Sequence, residues 1–146
     1  MKAVIRIRGR IGLRKPVKDT FQMLRLNVSY NCIILPDTNP IYDGMIKKVK
    51  DYVMYGPISE EVLKELLVKR LKLKGNKPVN DKIIAKALEI LKEGKLLKDV
   101  EEIMPTIKLS PPRGGFRGIS PTKRTVQQGG IIGKHDNMDS IVKKMW

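Results

Sequence analysis

The chain has 146 residues, with 30 Lys or Arg against 15 Asp or Glu, for a formal net charge of +15 and a sequence pI near 10.0. Its 41% apolar content supports a modest core rather than a disordered basic tail, and the length fits one domain with an appendage. A lone cysteine and a lone histidine exclude an internal disulfide and any metal site built from those ligands alone, and no apolar run is long enough to cross a membrane.

In chain order, Ala3–Ile7 alternates apolar and basic side chains, which predicts a half-buried strand with Val4 and Ile5 inward and Arg6 and Arg8 on the charged side. The N-terminal stretch is basic and lacks the apolar segment of a secretory signal. Gly9 and Gly12 break the strand. Pro16 suits a first helical turn, and Val17, Phe21 and Leu24 recur at helical spacing to about Leu26. Cys32–Leu35 is a short apolar run ended by Pro36, a buried strand. Pro40–Val49 predicts a second helix and Tyr52–Tyr55 a third strand. Residues 1–58 therefore read as β-α-β-α-β, an α+β layer with helices on one face of a small sheet. Ser59 caps a helix running to Leu71, and Asn80 or Asp81 begins another ending at Lys92. A shorter helical piece follows over Leu96–Met104. Residues 59–105 thus form a helical insertion. From Thr106 the chain turns rich in Pro and Gly, predicting an extended basic arm and a loop through Gly133, closed by a helix over Asn137–Met145 packed on the core.

The charge is uneven. Residues 1–58 hold 11 basic and 4 acidic side chains, residues 59–103 hold 11 and 9, and residues 104–146 hold 8 and 2. No acid occurs in Met1–Lys18 or in Thr106–His135. A compact protein so charged repels itself unless a polyanion neutralises it, so the two flanks are the polyanion-binding parts.

Two segments carry the chemistry. Arg8–Lys15 joins a strand to a helix, where glycines, a helix N-terminus and arginine forks together suit phosphate. Its candidates are Arg6, Arg8, Arg10, Arg14, Lys15 and Lys18. In Pro112–Gly118, Phe116 is placed to stack on a base or to pack on the protein, with Arg113 and Arg117 at phosphates; Lys123, Arg124 and Lys134 extend the track. Lys47, Lys48 and Lys50 are either a solvated helix face or further phosphate contacts. His135 beside Asp136 has the outline of an oriented base, but no nucleophile motif or carboxylate cluster joins it. Cys32 reads as a buried small hydrophobe.

Val4–Arg14 with its Arg-x-x-Gly turn, Pro36–Pro40 before Ile41-Tyr42-Asp43-Gly44-Met45-Ile46, the strand Tyr52–Tyr55 and the arm Ser110–Gly118 together resemble the large-subunit ribosomal protein family L-thirty in its longer archaeal form, whose eukaryotic counterpart is L-seven. The resemblance implies a ferredoxin-like core with an antiparallel three-stranded sheet. It also implies a cytoplasmic place in the large ribosomal subunit, bound to its RNA near the 5S RNA and beside neighbouring ribosomal proteins. No cofactor, membrane or small-molecule substrate is expected, and the free chain is expected to be a monomer.

Two other function classes fit parts of the chain. Ile7–Arg14 is loosely similar to the anion cradle of acylphosphatases, with Arg14 and Asn27 or Asn31 as its catalytic candidates, although Ile11-Gly12-Leu13-Arg14 departs from that family's turn. A DNA-binding or general RNA-chaperone protein would use Ser59–Lys92 as a helix-turn-helix-like reader, but Asp81, Glu89 and Glu93 make its second helix poorly charged for a groove.

Overall fold

A computed structural model describes residues 1–75, 79–97, 103–116 and 122–146. The elements are β1 (Lys2–Arg6), α1 (Lys15–Met23), β2 (Asn31–Leu35), α2 (Pro40–Val49), β3 (Val53–Pro57), α3 (Glu60–Arg70), α4 (Asp81–Lys92), β4 (Ile107–Lys108), β5 (Gly133–Lys134) and α5 (Met138–Lys143). The first five follow the predicted β-α-β-α-β order. Of the helical piece expected over Leu96–Met104, residues 98–102 lie outside the described residues, and Ile103 instead pairs with Leu73 in an isolated antiparallel bridge.

The helices start where local chemistry starts them. Asn39 caps α2 by accepting from the Ile41 N–H at 3.0 Å, and Pro40 follows at a position that needs no N–H donor. Ser59 caps α3 through the Val62 N–H at 3.4 Å, with Glu60 and Glu61 at the positive end of the helix dipole.

β1 is the centre of the sheet. It pairs antiparallel with β2, Val4 opposite Ile33, and antiparallel with β3, Val4 opposite Tyr55. This is the ferredoxin-like core of an α+β fold. Two strands of two residues widen it: β4 runs antiparallel on β2, and β5 runs parallel on β3, giving a five-stranded mixed sheet in the order β4-β2-β1-β3-β5. The sequence places these residues in the arm and its loop, because two-residue strands offer no alternation to read. Each covers two residues of an edge that an antiparallel core would otherwise leave unpaired.

Both faces of the sheet are covered, which corrects the one-faced layer expected from sequence. Val4, Ile33, Leu35 and Val53 pack with Phe21 and Leu24 of the α1 region and with Ile46 and Val49 of α2. Ala3, Ile5, Cys32, Ile34 and Met54 pack with Leu63, Leu66 and Leu67 of α3, Ala87 and Leu91 of α4, and Met138 and Val142 of α5. The residues expected to form an insertion thus share a hydrophobic cluster with the sheet. Strands covered on both sides carry near-continuous apolar runs, as in Asn31–Leu35.

Cys32 lies fully buried in this sheet, and burial pushes its thiol up to about 12. The thiol therefore stays protonated through the physiological range and carries no reactive thiolate. Alkylation with iodoacetamide at pH 8, followed by intact mass, should leave the folded chain unmodified and label it once in denaturant.

Candidate nucleic-acid interface

The expected phosphate contacts divide once their surroundings are known. Arg6 is a correction. It is only 1% exposed, on the same side of β1 as Val4. Its Nε donates to the Arg8 carbonyl at 2.9 Å, Nη1 to Leu26 at 2.7 Å and Nη2 to Gly9 at 2.8 Å, and its guanidinium lies 4.1 Å above the centre of the Phe21 ring. Burial, followed by the charge of Arg10, lowers its pKa from the usual arginine range. Arg6 is therefore a structural residue that ties the Arg8–Gly9 turn to the Leu26 segment. The alternation in Ala3–Ile7 concealed this, because alternation cannot distinguish solvent from a second buried layer.

Arg8 also turns inward, but to a different end. Its Nε donates to the Thr122 carbonyl at 3.1 Å and its Nη2 to the Lys123 carbonyl at 2.7 Å, while its guanidinium lies 5.7 Å from the centre of the Tyr52 ring. This clasp brings the two acid-free stretches together through residues more than a hundred positions apart. Arg10 and Lys123 line one cleft with Arg8, and Arg10, Arg14, Lys15, Lys18, Lys123 and Arg124 are all exposed. No carboxylate among the described residues comes within 4 Å of their charged groups. Arg10 is anchored by its Nε to the Asn27 carbonyl.

Helix α1 adds to the field. Arg14 occupies its N-cap without a side-chain cap bond, no acid lies in its first turn, and Lys15 opens it. Cations beside the positive end of a helix dipole are unfavourable alone and favourable beside an anion. Lys48 borders the groove between α1 and α2 together with Pro16, Asp19 and Thr20. Lys47 and Lys48 also lie in the last turn of α2, where they offset the negative end of that helix.

The C-terminal candidates are less uniform. Residues 124–132 form a closed turn: Val126 N–H donates to Ile132 at 3.0 Å, and Gly130 N–H donates to Thr125 at 2.8 Å. A Cβ on Gly130 would stand 2.0 Å from the Arg124 carbonyl, so only glycine fits. Arg113 is exposed, with its backbone N–H on the Lys144 carbonyl at 3.0 Å, so the start of the arm is held along the end of α5. The described part of the arm is thus bonded to the body, whereas the sequence suggests a free extension. Phe116 is half-buried against the larger hydrophobic cluster, which favours the packing role over base stacking. Arg117 lies outside the described residues. Lys134, in β5, is exposed and stands 3.9 Å from Asp136. His135 is half-buried: its backbone N–H donates to Tyr55 at 2.8 Å, and its Nε2 lies 2.7 Å from the Ile131 carbonyl, a structural setting.

Three residues beside the clasp are not among the candidates that sequence patterns mark: Ile11, Tyr30 and Tyr52. Only Ile11 left a signal, as an apolar residue inside a cationic turn. Neither rival reading gains support. Asn31 is buried in β2, and α3 and α4 are packed on the sheet, with Lys92 of α4 bonded to Glu60 at 2.9 Å.

Residues 2–53 match the family described as Ribosomal protein L30p/L7e. The chain is 37% identical to the large ribosomal subunit protein uL30 of Methanosphaera stadtmanae, over 99% of both chains. It is 37% identical to that of Staphylothermus marinus, over 98% of this chain and 96% of the relative. The chain belongs to the ribosomal protein L30p/L7e family. A third member, from Methanocorpusculum labreanum, is 38% identical over 91% of each chain. The family is structural rather than enzymatic, so the cradle at Ile7–Arg14 is not an acylphosphatase site. The archaeal relatives match nearly end to end, so the likeness takes in the helical block and the C-terminal segment as well as the core.

Two substitutions separate the arginines. Arg6→Ala leaves three carbonyls without their donor and should destabilise the fold by about 2–4 kcal/mol, read from urea unfolding. Arg8→Ala should cost less stability but release Thr122–Lys123, visible as faster amide exchange across residues 122–132.

Proposed function

We propose that this chain is a structural constituent of the large ribosomal subunit, in the cytoplasm, where it binds and stabilises large-subunit ribosomal RNA near the 5S RNA. Neighbouring ribosomal proteins are its other partners. The observation that carries this reading is the Arg8 clasp, which merges two acid-free basic segments into one cationic surface at one end of the sheet. Folded RNA concentrates phosphates at junctions and grooves, and a converged set of lysines and arginines fits such a concentration. The phosphate-contact set is Arg10, Arg14, Lys15, Lys18, Lys123 and Arg124. Arg8 positions them, and Lys47, Lys48, Arg113 and Lys134 are further exposed cations of the proposed set.

Binding of this kind releases counterions, so affinity for a large-subunit RNA fragment should fall about a thousandfold between roughly 50 and 200 mM salt if six or more phosphates are neutralised. Filter binding across that range, with duplex DNA of equal length as competitor, checks it. A shallow slope, or equal affinity for the DNA, would overturn the reading. Ultraviolet crosslinking in cells then reads which RNA is attached and whether it adjoins the 5S RNA.

A further inference from the structure

Between the Ile7–Ile11 turn and Thr122–Lys123 lies an open cleft of about 560 Å³. Its size falls in the range of about 300–1,000 Å³ that small-ligand sites occupy. Ile7, Ile11, Tyr30 and Tyr52 supply its apolar surface, and Arg8, Arg10 and Lys123 its charge. We propose that this cleft receives one unpaired nucleotide of the bound RNA, with its base against the apolar wall and its phosphate at Arg10 and Lys123. The proposal rests on the RNA-binding reading above and names the part of the RNA that the site takes.

The chemistry of the walls selects the occupant. A cationic rim around an aromatic floor matches a ligand that carries a negative charge beside a flat apolar ring, which describes a nucleotide. A base within an A-form helix has its faces covered by its neighbours, so only an unpaired nucleotide can offer a face to the cleft.

Four observations support the proposal. The Tyr52 ring contacts both the Arg8 guanidinium, at 5.7 Å, and the edge-on Phe21 ring, at 6.1 Å. Tyr30 has a left-handed backbone, φ 63°, unusual for an aromatic residue. Two hydrogen bonds hold it there: its N–H donates to Arg6 at 2.6 Å, and its carbonyl accepts from Leu109 N–H at 3.0 Å. Ile11 is fully exposed, at 101%, on the lip of the cleft. A β-branched apolar side chain left wholly in water on a cationic turn gains free energy when a base or ribose covers it. Arg10 spends its Nε on Asn27, which orients the guanidinium and leaves its Nη groups for phosphate.

The test uses the full chain and the RNA fragment it binds. Ile11→Ala touches no packed side chain and should fold normally by circular dichroism. It should weaken binding about tenfold while leaving the salt slope unchanged, as loss of an apolar base contact does. Lys123→Ala should instead reduce the slope by about one, as loss of a phosphate contact does. Ultraviolet crosslinking of the complex, read by mass spectrometry, should place a nucleotide adduct on Tyr30 or Tyr52. Unchanged affinity in Ile11→Ala, or crosslinks confined to residues outside the cleft, would overturn the proposal while leaving RNA binding intact. Failure of the unaltered chain to bind any large-subunit fragment would overturn both.

Discussion

The basic end of the molecule depends on a guanidinium buried at the end of β1. Arg6 spends three N–H donors on the carbonyls of Arg8, Gly9 and Leu26 and rests on the face of Phe21. A charge placed there without such partners would be costly, and an apolar residue would leave the turn's carbonyls unanswered. With these bonds the chain turns sharply out of the sheet, and the following cations project from a fixed platform. Arg8, two residues on, uses the same chemistry at longer range and captures the C-terminal segment. One arginine thus builds the platform and the next recruits its second half.

This division of labour explains how a strongly cationic chain folds at all. Like charges brought together repel, and the repulsion must be offset by burial elsewhere. The sheet is covered on both faces, by α1 and α2 on one side and by α3, α4 and α5 on the other. The acidic side chains of residues 59–103 lie in the part of the chain that supplies much of the second layer. The charge is therefore segregated: a near-balanced layer supports the fold, and the acid-free flanks meet at one end. Such an arrangement can hold its cations close together before any polyanion arrives.

Small strands matter more here than their length implies. β5 joins β3 only over Met54 and Tyr55, opposite Gly133 and Lys134, yet it fixes the return path of the C-terminal segment. Gly56 permits that path, because a Cβ there would stand 2.0 Å from the His135 carbonyl. The segment that looks like a flexible arm is consequently bound to the body where it is described, with Ile131 and Ile132 buried.

The sequence by itself determined the β-α-β-α-β order, the bounds of α2 and α4, the burial of Cys32 and the two acid-free flanks. These follow from local chemistry: periodicity, caps, proline and the count of charges. Tertiary structure alone decided that Arg6 is buried, that a second helical layer covers the sheet, that Phe116 packs inward, and that residues 122–134 return to Arg8 and β3. Each of those depends on which distant group a side chain meets. An arginine has the same appearance in a sequence whether its fork ends in water, on a carbonyl or at a phosphate.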